Sequence, residues 1–349
     1  MGRFSADDTC RLRAAAQGLA GSATTVVDAV RRVVGLQAQD VRACRLAVRV
    51  RTRGLTAADV DAACREKAVV RTWAMRGTLH MVAADDFGWV NGLFGPYFAA
   101  RGAPRRRQLG LGDATLERAA AAFEEIAREP HTRSEIVERL ADHGVRLEPK
   151  SQEAPHLLAY AANTGQLCRG PDTAKDEPTY VLVDEWLGPQ KSLTEEEALA
   201  RLAVRYLRGH GPATAEDLAT WSGLPVTLAR AAVETVEEEA LADDPLPDAP
   251  TRLLGHFDAY LLGYRGRDLA VPAEHQREVQ AGGGFVMPVV LNEGRAVGTW
   301  RATTRKNEVE VTATGFGGQS LPDLADEIAD LNRFLDRASR ETGAGNALG

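Results

Sequence analysis

Residues 34–40 have the sequence Val34-Gly35-Leu36-Gln37-Ala38-Gln39-Asp40 and lie between two amphipathic helical patterns. If this stretch is extended, the side chains of Gln37 and Gln39 project to the same side, because side chains alternate faces with a period of two. Two carboxamides together offer hydrogen-bond donors and acceptors that do not titrate near neutral pH. The stretch is therefore either a pair of polar groups available for chemistry or a pair of surface glutamines before a helix that Asp40 caps.

The sequence on both sides of this stretch predicts helices followed by a β-hairpin. Helices are predicted over residues 6–20 and 24–34, from Val41, and after Thr56 as an N-cap. Strands are predicted over residues 69–73 and 78–82, joined through Met75-Arg76-Gly77. Helices followed by a hairpin are typical of a winged helix.

The same order of elements recurs further along the chain. Helices are predicted over residues 115–128, after Thr132 and over 152–164, followed by strands at 167–169 and 179–183, and a third set of helices begins near residues 194, 214 and 226. From residue 252 the period changes, and strands are predicted over 252–264, 285–292, 295–302 and 308–314. We therefore predict an α+β fold with three tandem winged-helix units followed by a small β-barrel-like C-terminal region.

The predicted boundaries follow from these patterns. They are 1–104 for the winged helix that carries Gln37 and Gln39, 105–188 for the second, 189–250 for the third, 251–316 for a β-rich cap, and 317–349 for a C-terminal helix and tail. Residues 102–104 and 184–193 are the candidate linkers.

The composition argues against several classes of protein. The 4 cysteines are scattered without CxxC pairing, which argues against a zinc site and a disulfide framework. The histidines and acids show no spacing such as HExxH, and neither phosphate-loop nor dinucleotide-binding glycine motif occurs, so no metal and no cofactor is expected. No apolar run of about 18 residues suggests a membrane span, and residues 1–5 lack the apolar core of a signal peptide. We expect a cytoplasmic monomer.

Positive charge is concentrated locally although the net charge is −7. Arg42, Arg45 and Arg49 follow an i, i+3, i+7 spacing and line one face of a predicted helix. Further basic residues are found in two other segments, as Arg105, Arg106 and Arg107, and as Arg305 and Lys306 in a predicted turn. Phosphate binding depends on the local basic surface rather than on the total charge, so these residues are candidate DNA contacts. Solvated charged faces are the alternative explanation.

Three motifs occur in order along the chain. They are Gln37-Ala38-Gln39, then Arg71-Thr72-Trp73-Ala74-Met75-Arg76-Gly77-Thr78-Leu79-His80, and then His256-Phe257-Asp258-Ala259-Tyr260-Leu261-Leu262-Gly263-Tyr264. Together they resemble the winged-helix DNA glycosylase superfamily, the AlkZ-like enzymes, over about residues 8–316. The Gln-x-Gln tripeptide is similar to the branch that includes the azinomycin-resistance glycosylase, rather than to the Gln-x-Asp branch. Ala259 stands where the family usually has proline.

The resemblance implies a function and a set of site residues. The implied activity is that of a monofunctional DNA glycosylase that excises N7-alkylated guanine from duplex DNA, including bulky adducts and interstrand crosslinks. Gln37 and Gln39 are then the catalytic residues, Asp40 and His80 are candidate supporting residues, and Arg76 is a candidate DNA contact. Self-resistance to a DNA-alkylating natural product is a further implied role, and the protein would associate with the nucleoid.

The amide pair suits this chemistry. An N7-alkylguanine already carries a positive charge and leaves as a neutral base, so the enzyme needs to stabilise a sugar cation and place a water molecule without protonating the base. Fixed carbonyl dipoles can do both, although they cannot accept a proton as a carboxylate can. The alternative is a non-enzymatic winged-helix DNA-binding regulator whose glutamines hydrogen-bond adenine or phosphate. We predict the enzyme.

Overall fold

The computed structural model of the chain describes residues 4–148, 150–236, 249–280, 282–305 and 308–335. The helices are α1 (Ala6–Ala16), α2 (Val26–Arg32), α3 (Val41–Arg49), α4 (Ala57–Arg65), α5 (Phe87–Gln108), α6 (Asp113–Ile126), α7 (Arg133–Asp142), α8 (Glu153–Asn163), α9 (Val183–Leu187), α10 (Glu195–His210), α11 (Ala215–Ser222), α12 (Val226–Glu234), α13 (Ala259–Leu262), α14 (Gln276–Val279) and α15 (Ala325–Phe334). The strands are β1 (Leu36–Gln37), β2 (Val69–Trp73), β3 (Leu79–Ala83), β4 (His131–Thr132), β5 (Leu167–Arg169), β6 (Thr179–Leu182), β7 (Arg252–Leu254), β8 (Val289–Asn292), β9 (Arg295–Arg305) and β10 (Glu308–Gly315).

Strands from the first two predicted units form one sheet. Its six strands lie in the order β1-β3-β2-β5-β6-β4, and β2 pairs with β5 in antiparallel fashion at Arg71 and Arg169. Arg71 strengthens this junction because its guanidinium donates two hydrogen bonds of 2.8 Å to Asp172 and one of 3.1 Å to the carbonyl of Gly170. The first two units are therefore joined through a continuous sheet.

The prediction of three tandem winged helices is not confirmed. Helices followed by a hairpin occur twice, with β2–β3 and with β5–β6 as the hairpins. In the third predicted unit, the described residues 189–236 contain α10, α11 and α12 but no strand. This helical segment packs instead on α5 and on the turn between β2 and β3.

Helix α5 was not predicted, and it runs through the candidate linker at residues 102–104. The glycines and prolines in its sequence suggest a break, but two of these glycines allow close packing. A Cβ on Gly88 would lie 2.2 Å from the carbonyl oxygen of Lys191, and one on Gly95 would lie 2.1 Å from that of Asn163. The boundary between the first two predicted units thus falls near the end of a continuous 22-residue helix.

The C-terminal region is an open sheet within the described residues. Its four strands lie in the order β10-β9-β8-β7, and β7 and β10 are at its edges, so the predicted barrel-like closure is not found there. The strand predicted over residues 252–264 ends at Leu254. Phe257 has a left-handed backbone conformation (φ 57°), and Asp258 then caps the short helix α13 by accepting a hydrogen bond from the amide of Tyr260.

Helices cover both faces of the six-stranded sheet. On one face, Leu36 and Met81 belong to a core that includes residues of α2, α3 and α4. On the other face, Val70 and Val82 belong to a core that includes residues of α5, α10 and α11. Gln37 of β1 pairs with His80 of β3. Each is next in sequence to a residue whose side chain lies on the first face, Leu36 and Met81 respectively. Because side chains alternate, Gln37 and His80 share the face that carries α10 and α11.

Candidate active site

The strand β1 fixes the position of Gln37, and Gln39 follows it two residues later. Gln37 pairs with His80 in the antiparallel β1–β3 ladder, and the amide of Ala38 donates a 2.8 Å hydrogen bond to the carbonyl of Leu79. The chain enters this strand through Val34, whose φ of 68° is unusual for a β-branched residue and marks local backbone strain. The strand lies at the edge of the sheet, where the glutamine side chains remain accessible: Gln37 is half-buried and Gln39 is exposed.

The two glutamine side chains contact each other. Nε2 of Gln37 donates a 2.6 Å hydrogen bond to Oε1 of Gln39, so both project to the same side as the period-two argument predicts. Nη2 of Arg76 donates a 2.9 Å hydrogen bond to Oε1 of Gln37. A guanidinium is only a donor, so this contact assigns the oxygen of Gln37 to Arg76 and its nitrogen to Gln39. The three side chains form one ordered series of hydrogen bonds.

Arg76 is held by the turn between β2 and β3 and by helix α11. Its own backbone is left-handed (φ 57°) within this turn. Its Nη1 donates to the carbonyl of Trp221 in the last turn of α11, where the helix dipole favours a positive charge. Burial, and to a smaller extent the positive charge of Arg267, lower the pKa of Arg76 to about 10. The guanidinium remains charged at neutral pH.

His80 is a buried and neutral neighbour of Arg76. Its Nδ1 lies 2.9 Å from the carbonyl oxygen of Thr78, so Nδ1 carries the proton, and Nε2 lies 3.5 Å from Nη2 of Arg76. Burial lowers the pKa of His80 to about 3, and the charge of Arg76 contributes in the same direction. His80 therefore presents a lone pair to Arg76 and is too weak a base to accept a proton readily near pH 7.

Asp40 performs the capping role that the sequence suggests. It is the N-cap of α3, and its Oδ1 accepts a 2.9 Å hydrogen bond from the amide of Ala43. The residue is exposed. Its carboxylate is engaged by the helix rather than by either glutamine.

Among the described residues, no group of three or more His, Cys, Asp or Glu side chains is arranged to hold a metal ion. In the same residues no helix is both long and apolar enough to cross a bilayer. The polar groups gathered at the glutamines are amides, a guanidinium and a neutral imidazole.

Comparison with known proteins identifies the family. The family model for AlkZ-like DNA glycosylases matches residues 30–334. This chain belongs to the AlkZ-like DNA glycosylase family. One relative, the interstrand DNA cross-link repair glycosylase of Streptomyces sahachiroi, is 30% identical over 308 residues, which cover 78% of this chain and 81% of the relative. The solved structure of the S. sahachiroi DNA glycosylase AlkZ matches with a TM-score of 0.76 at 25% identity, covering 94% of this chain and 96% of the other.

Two of the arginines predicted to contact DNA in this AlkZ-like chain are paired with carboxylates of the protein itself. The side chain of Arg49 is 1% exposed and donates hydrogen bonds to Glu327, Asp330 and the carbonyl of Leu253. Arg45 forms ion pairs of 2.9 Å with Asp61 and 2.8 Å with Asp176. The i, i+3, i+7 spacing thus identified a helix face correctly, but at Arg49 that face packs inside. Arg49 is not available to DNA in this structure, Arg45 is already paired with carboxylates, and Arg42 is exposed.

The second basic segment lies at the end of α5. Arg106 is 7% exposed, packs over the ring of Tyr160 at 4.2 Å and donates to the carbonyl of Ala99, so it has a structural role rather than the predicted DNA contact. Arg105 and Arg107 are exposed. Lys306 and the side chain of Arg305 lie outside the described residues, although the backbone of Arg305 ends β9.

Sequence reasoning missed the part of the site that comes from distant segments. The carbonyl of Trp221 has no signature in sequence, because any residue at that helix end offers one. Arg76 was marked by its motif but assigned to DNA, and the structure places it on Gln37.

Proposed function

We propose that this protein hydrolyses the N-glycosidic bond of N7-alkylated guanine in duplex DNA, and that its substrates include bulky adducts and interstrand crosslinks. The observation that carries the proposal is the amide pair of Gln37 and Gln39, which Arg76 holds and to which no carboxylate among the described residues is hydrogen-bonded. The relative in S. sahachiroi bears the name of an interstrand cross-link repair glycosylase, which supports the crosslink part of the proposal.

The geometry supports a mechanism without proton transfer to the base. Each amide oxygen has two lone pairs, and within the described contacts one is used: that of Gln37 by Arg76 and that of Gln39 by Gln37. The second lone pair on each oxygen is left to face the sugar cation and to orient the attacking water. Because the dipoles are fixed before the reaction, they stabilise the developing positive charge without reorganisation. A base that is already cationic needs no general acid to leave.

We infer that the enzyme is monofunctional. Cleavage of the DNA strand by a bifunctional glycosylase proceeds through a Schiff base and needs an amine beside the sugar. Lys67 is the lysine nearest to the glutamines in sequence, and its ammonium lies over the ring of Trp186 at 4.7 Å. The expected product is therefore an abasic site in an intact strand.

Duplex DNA is the proposed partner, bound by a monomer. Arg42, Arg105 and Arg107 are exposed and remain candidate phosphate contacts, and so do Arg305 and Lys306. The alternative function as a non-enzymatic regulator is not favoured, because the matching family model is that of AlkZ-like DNA glycosylases and the relative in S. sahachiroi is named a glycosylase. Self-resistance to a DNA-alkylating natural product is the biological role that we propose for the activity.

The decisive experiment incubates the purified protein with a duplex that carries one N7-methylguanine and, separately, with a duplex crosslinked through N7 of guanine. The expected products are abasic sites in the first duplex and separated strands in the second. The double variant Gln37→Ala/Gln39→Ala is the control, since it should bind both duplexes without excision. A protein that binds the damaged duplex and never releases the base would be a binding protein, and the proposal would then be wrong.

A further inference from the structure

The loop between β5 and β6, residues 170–178, reaches from the second unit to the first. Its first part is anchored, because Arg71 of β2 donates two hydrogen bonds of 2.8 Å to Asp172 and both side chains are largely buried. Its second part is held by a single contact. Among the described residues, the one hydrogen bond from residues 173–178 to another element is the 2.8 Å bond that Nη2 of Arg45 donates to Asp176. This bond therefore holds the second part of the loop against α3.

The second part of the loop packs weakly on the first unit. The side chain of Asp176 is 36% exposed, and an ion pair that water reaches in this way contributes little to stability. A cavity of about 280 Å³ lies between the loop and the helices α3 and α4. Within the described part of the chain, no residue of the loop belongs to a hydrophobic core. A segment with so few apolar contacts opens at low cost, so the contact between Asp176 and Arg45 is easily broken.

The arginine that the loop covers lies close to the glutamines. The N-cap of α3 is Asp40, the residue directly after Gln39. Val41 and Arg45 of this helix both line the cavity beside the loop. Because an α-helix rises 1.5 Å per residue, Arg45 lies about 7.5 Å along the helix axis from the N-cap. A duplex whose damaged nucleotide lies at the glutamines therefore passes the start of α3 within reach of a side chain as long as that of Arg45.

Arg42 adds a second cation on the same face of α3. It is exposed and precedes Arg45 by three residues, so the two side chains are neighbours on the helix surface. The hydrogen bond from Arg45 lowers the pKa of Asp176, and the charges of Arg45 and Arg42 act in the same direction. The carboxylate of Asp176 thus faces two guanidinium groups. A guanidinium binds carboxylate and phosphate through the same charge-assisted hydrogen bonds, so a phosphate fits where this carboxylate lies.

We propose that Arg42 and Arg45 form a binding surface for a backbone phosphate of duplex DNA, and that Asp176 covers this surface in the free protein. When DNA binds, the phosphate replaces the carboxylate of Asp176 on Arg45, while the anchor at Asp172 stays in place. The exchange is favourable because the exposed ion pair contributes little, whereas each phosphate contact releases condensed counterions from the DNA. The inference rests on the proposed function for duplex DNA as the partner.

The test is a double-mutant cycle that measures affinity for an undamaged duplex, since phosphate contacts do not depend on the base. Asp176→Asn removes the charge and keeps the shape, and asparagine tolerates the left-handed backbone (φ 60°) at this position. This variant should bind the duplex about threefold more tightly than the wild type. In an Arg45→Gln background the same change should alter the affinity by less than about 1.5-fold, because no guanidinium is left to uncover. Arg45→Lys keeps a cation and should retain most of the gain.

A matched control separates this effect from a general loss of negative charge. Glu177→Gln removes the same charge from the next residue of the loop, which is exposed, and should leave the affinity within about 1.5-fold of the wild type. The proposal is overturned if Asp176→Asn gives no gain, if Glu177→Gln gives an equal gain, or if the gain persists with Arg45→Gln. If the cycle behaves as expected but N7-methylguanine is never released, the proposed function fails while the phosphate surface stands. Normal excision without the gain shows the reverse.

Discussion

Replacing Arg76 tests whether the orientation of the glutamine amides controls the rate. Arg76→Ala removes the 2.9 Å hydrogen bond to Oε1 of Gln37 and frees that amide to rotate. A hydrogen bond to a charged group contributes about 1.5–3 kcal/mol. If the loss of this hydrogen bond raises the activation free energy by about 2 kcal/mol, single-turnover excision of N7-methylguanine should slow by about 30-fold. Affinity for the damaged duplex should change little, because Arg76 acts through Gln37.

The backbone of Arg76 provides a matched control. Its φ of 57° costs a residue with a Cβ about 1–2 kcal/mol, a cost that glycine avoids. Arg76→Gly and Arg76→Ala both remove the guanidinium, so they should excise at the same reduced rate. Their unfolding free energies should nevertheless differ by about 1 kcal/mol in favour of glycine. If Arg76→Gly instead excises faster than Arg76→Ala in proportion to its higher unfolding free energy, Arg76 acts through stability and does not position Gln37.

A double-mutant cycle gives the sharpest form of the test. In a Gln37→Ala background there is no amide for Arg76 to orient, so adding Arg76→Ala should slow excision by less than about twofold. Two fully multiplicative effects would show that Arg76 acts independently of Gln37. If Arg76→Ala excises the base at a rate within about threefold of the wild-type rate, Arg76 does not control the orientation of Gln37 in the reaction.

Four other predictions follow from the site and the buried charges. Gln37→Ala and Gln39→Ala should each slow excision by about 100-fold or more while keeping DNA affinity, and wild-type rates in both would contradict the mechanism. The single-turnover rate should be nearly flat between about pH 6 and 8.5, because neither amide titrates and the pKa of His80 is lowered to about 3; a steep rise with a midpoint near pH 6.5 would point to a histidine instead. Burial lowers the pKa of His80 and of His210 to about 3, below the unfolded value of 6.5, so the stability that depends on their neutral forms is fully present above pH 6.5 and is lost as the pH falls towards 3. The unfolding free energy measured in urea should therefore fall by about 2 kcal/mol for each histidine between pH 7 and pH 5. An unchanged unfolding free energy would show that the two histidines are not buried in the neutral form. Arg49→Ala should lower the unfolding free energy by about 3–5 kcal/mol, measured as a lower urea midpoint, without changing the salt dependence of DNA binding. A reduced salt slope at unchanged stability would instead show that Arg49 contacts DNA.

Local sequence signals predicted the elements whose cause is local. Helices begin after Thr56, Thr132, Thr194 and Thr214 as predicted, and each of these threonines forms a capping box that needs only the residue three positions further on. The shared side of Gln37 and Gln39 also follows from local geometry. Features that depend on distant partners were not accessible in this way.

The misassigned arginines show why. Periodicity places Arg49 on a helix face, but this face is interior because Glu327 and Asp330 of the C-terminal helix α15 pack on it and pair with Arg49. The same holds for α5. Its glycines predict a helix break, but Gly88 and Gly95 instead allow the carbonyls of distant residues to pack closely against the helix. At the site, the sequence marked Gln37 and Gln39, whereas the groups that hold them in place come from α11 and from the turn before β3.

The sheet shared by the first two units also determines the order in which the protein can fold on the ribosome. The outer edge of β2 is completed only by a partner about a hundred residues later, as the hydrogen bond from Arg71 to Gly170, 99 positions away, illustrates. Until that segment leaves the ribosome, β2 is an open edge of the kind that pairs with other chains. Strand β1, which contains Gln37, lies on the other side of β3, so it can pair with β3 before β2 gains its second partner. We therefore expect nascent chains that stall before residue 169 to expose β2 as an unpaired strand edge, and to aggregate more readily than chains that have completed β5.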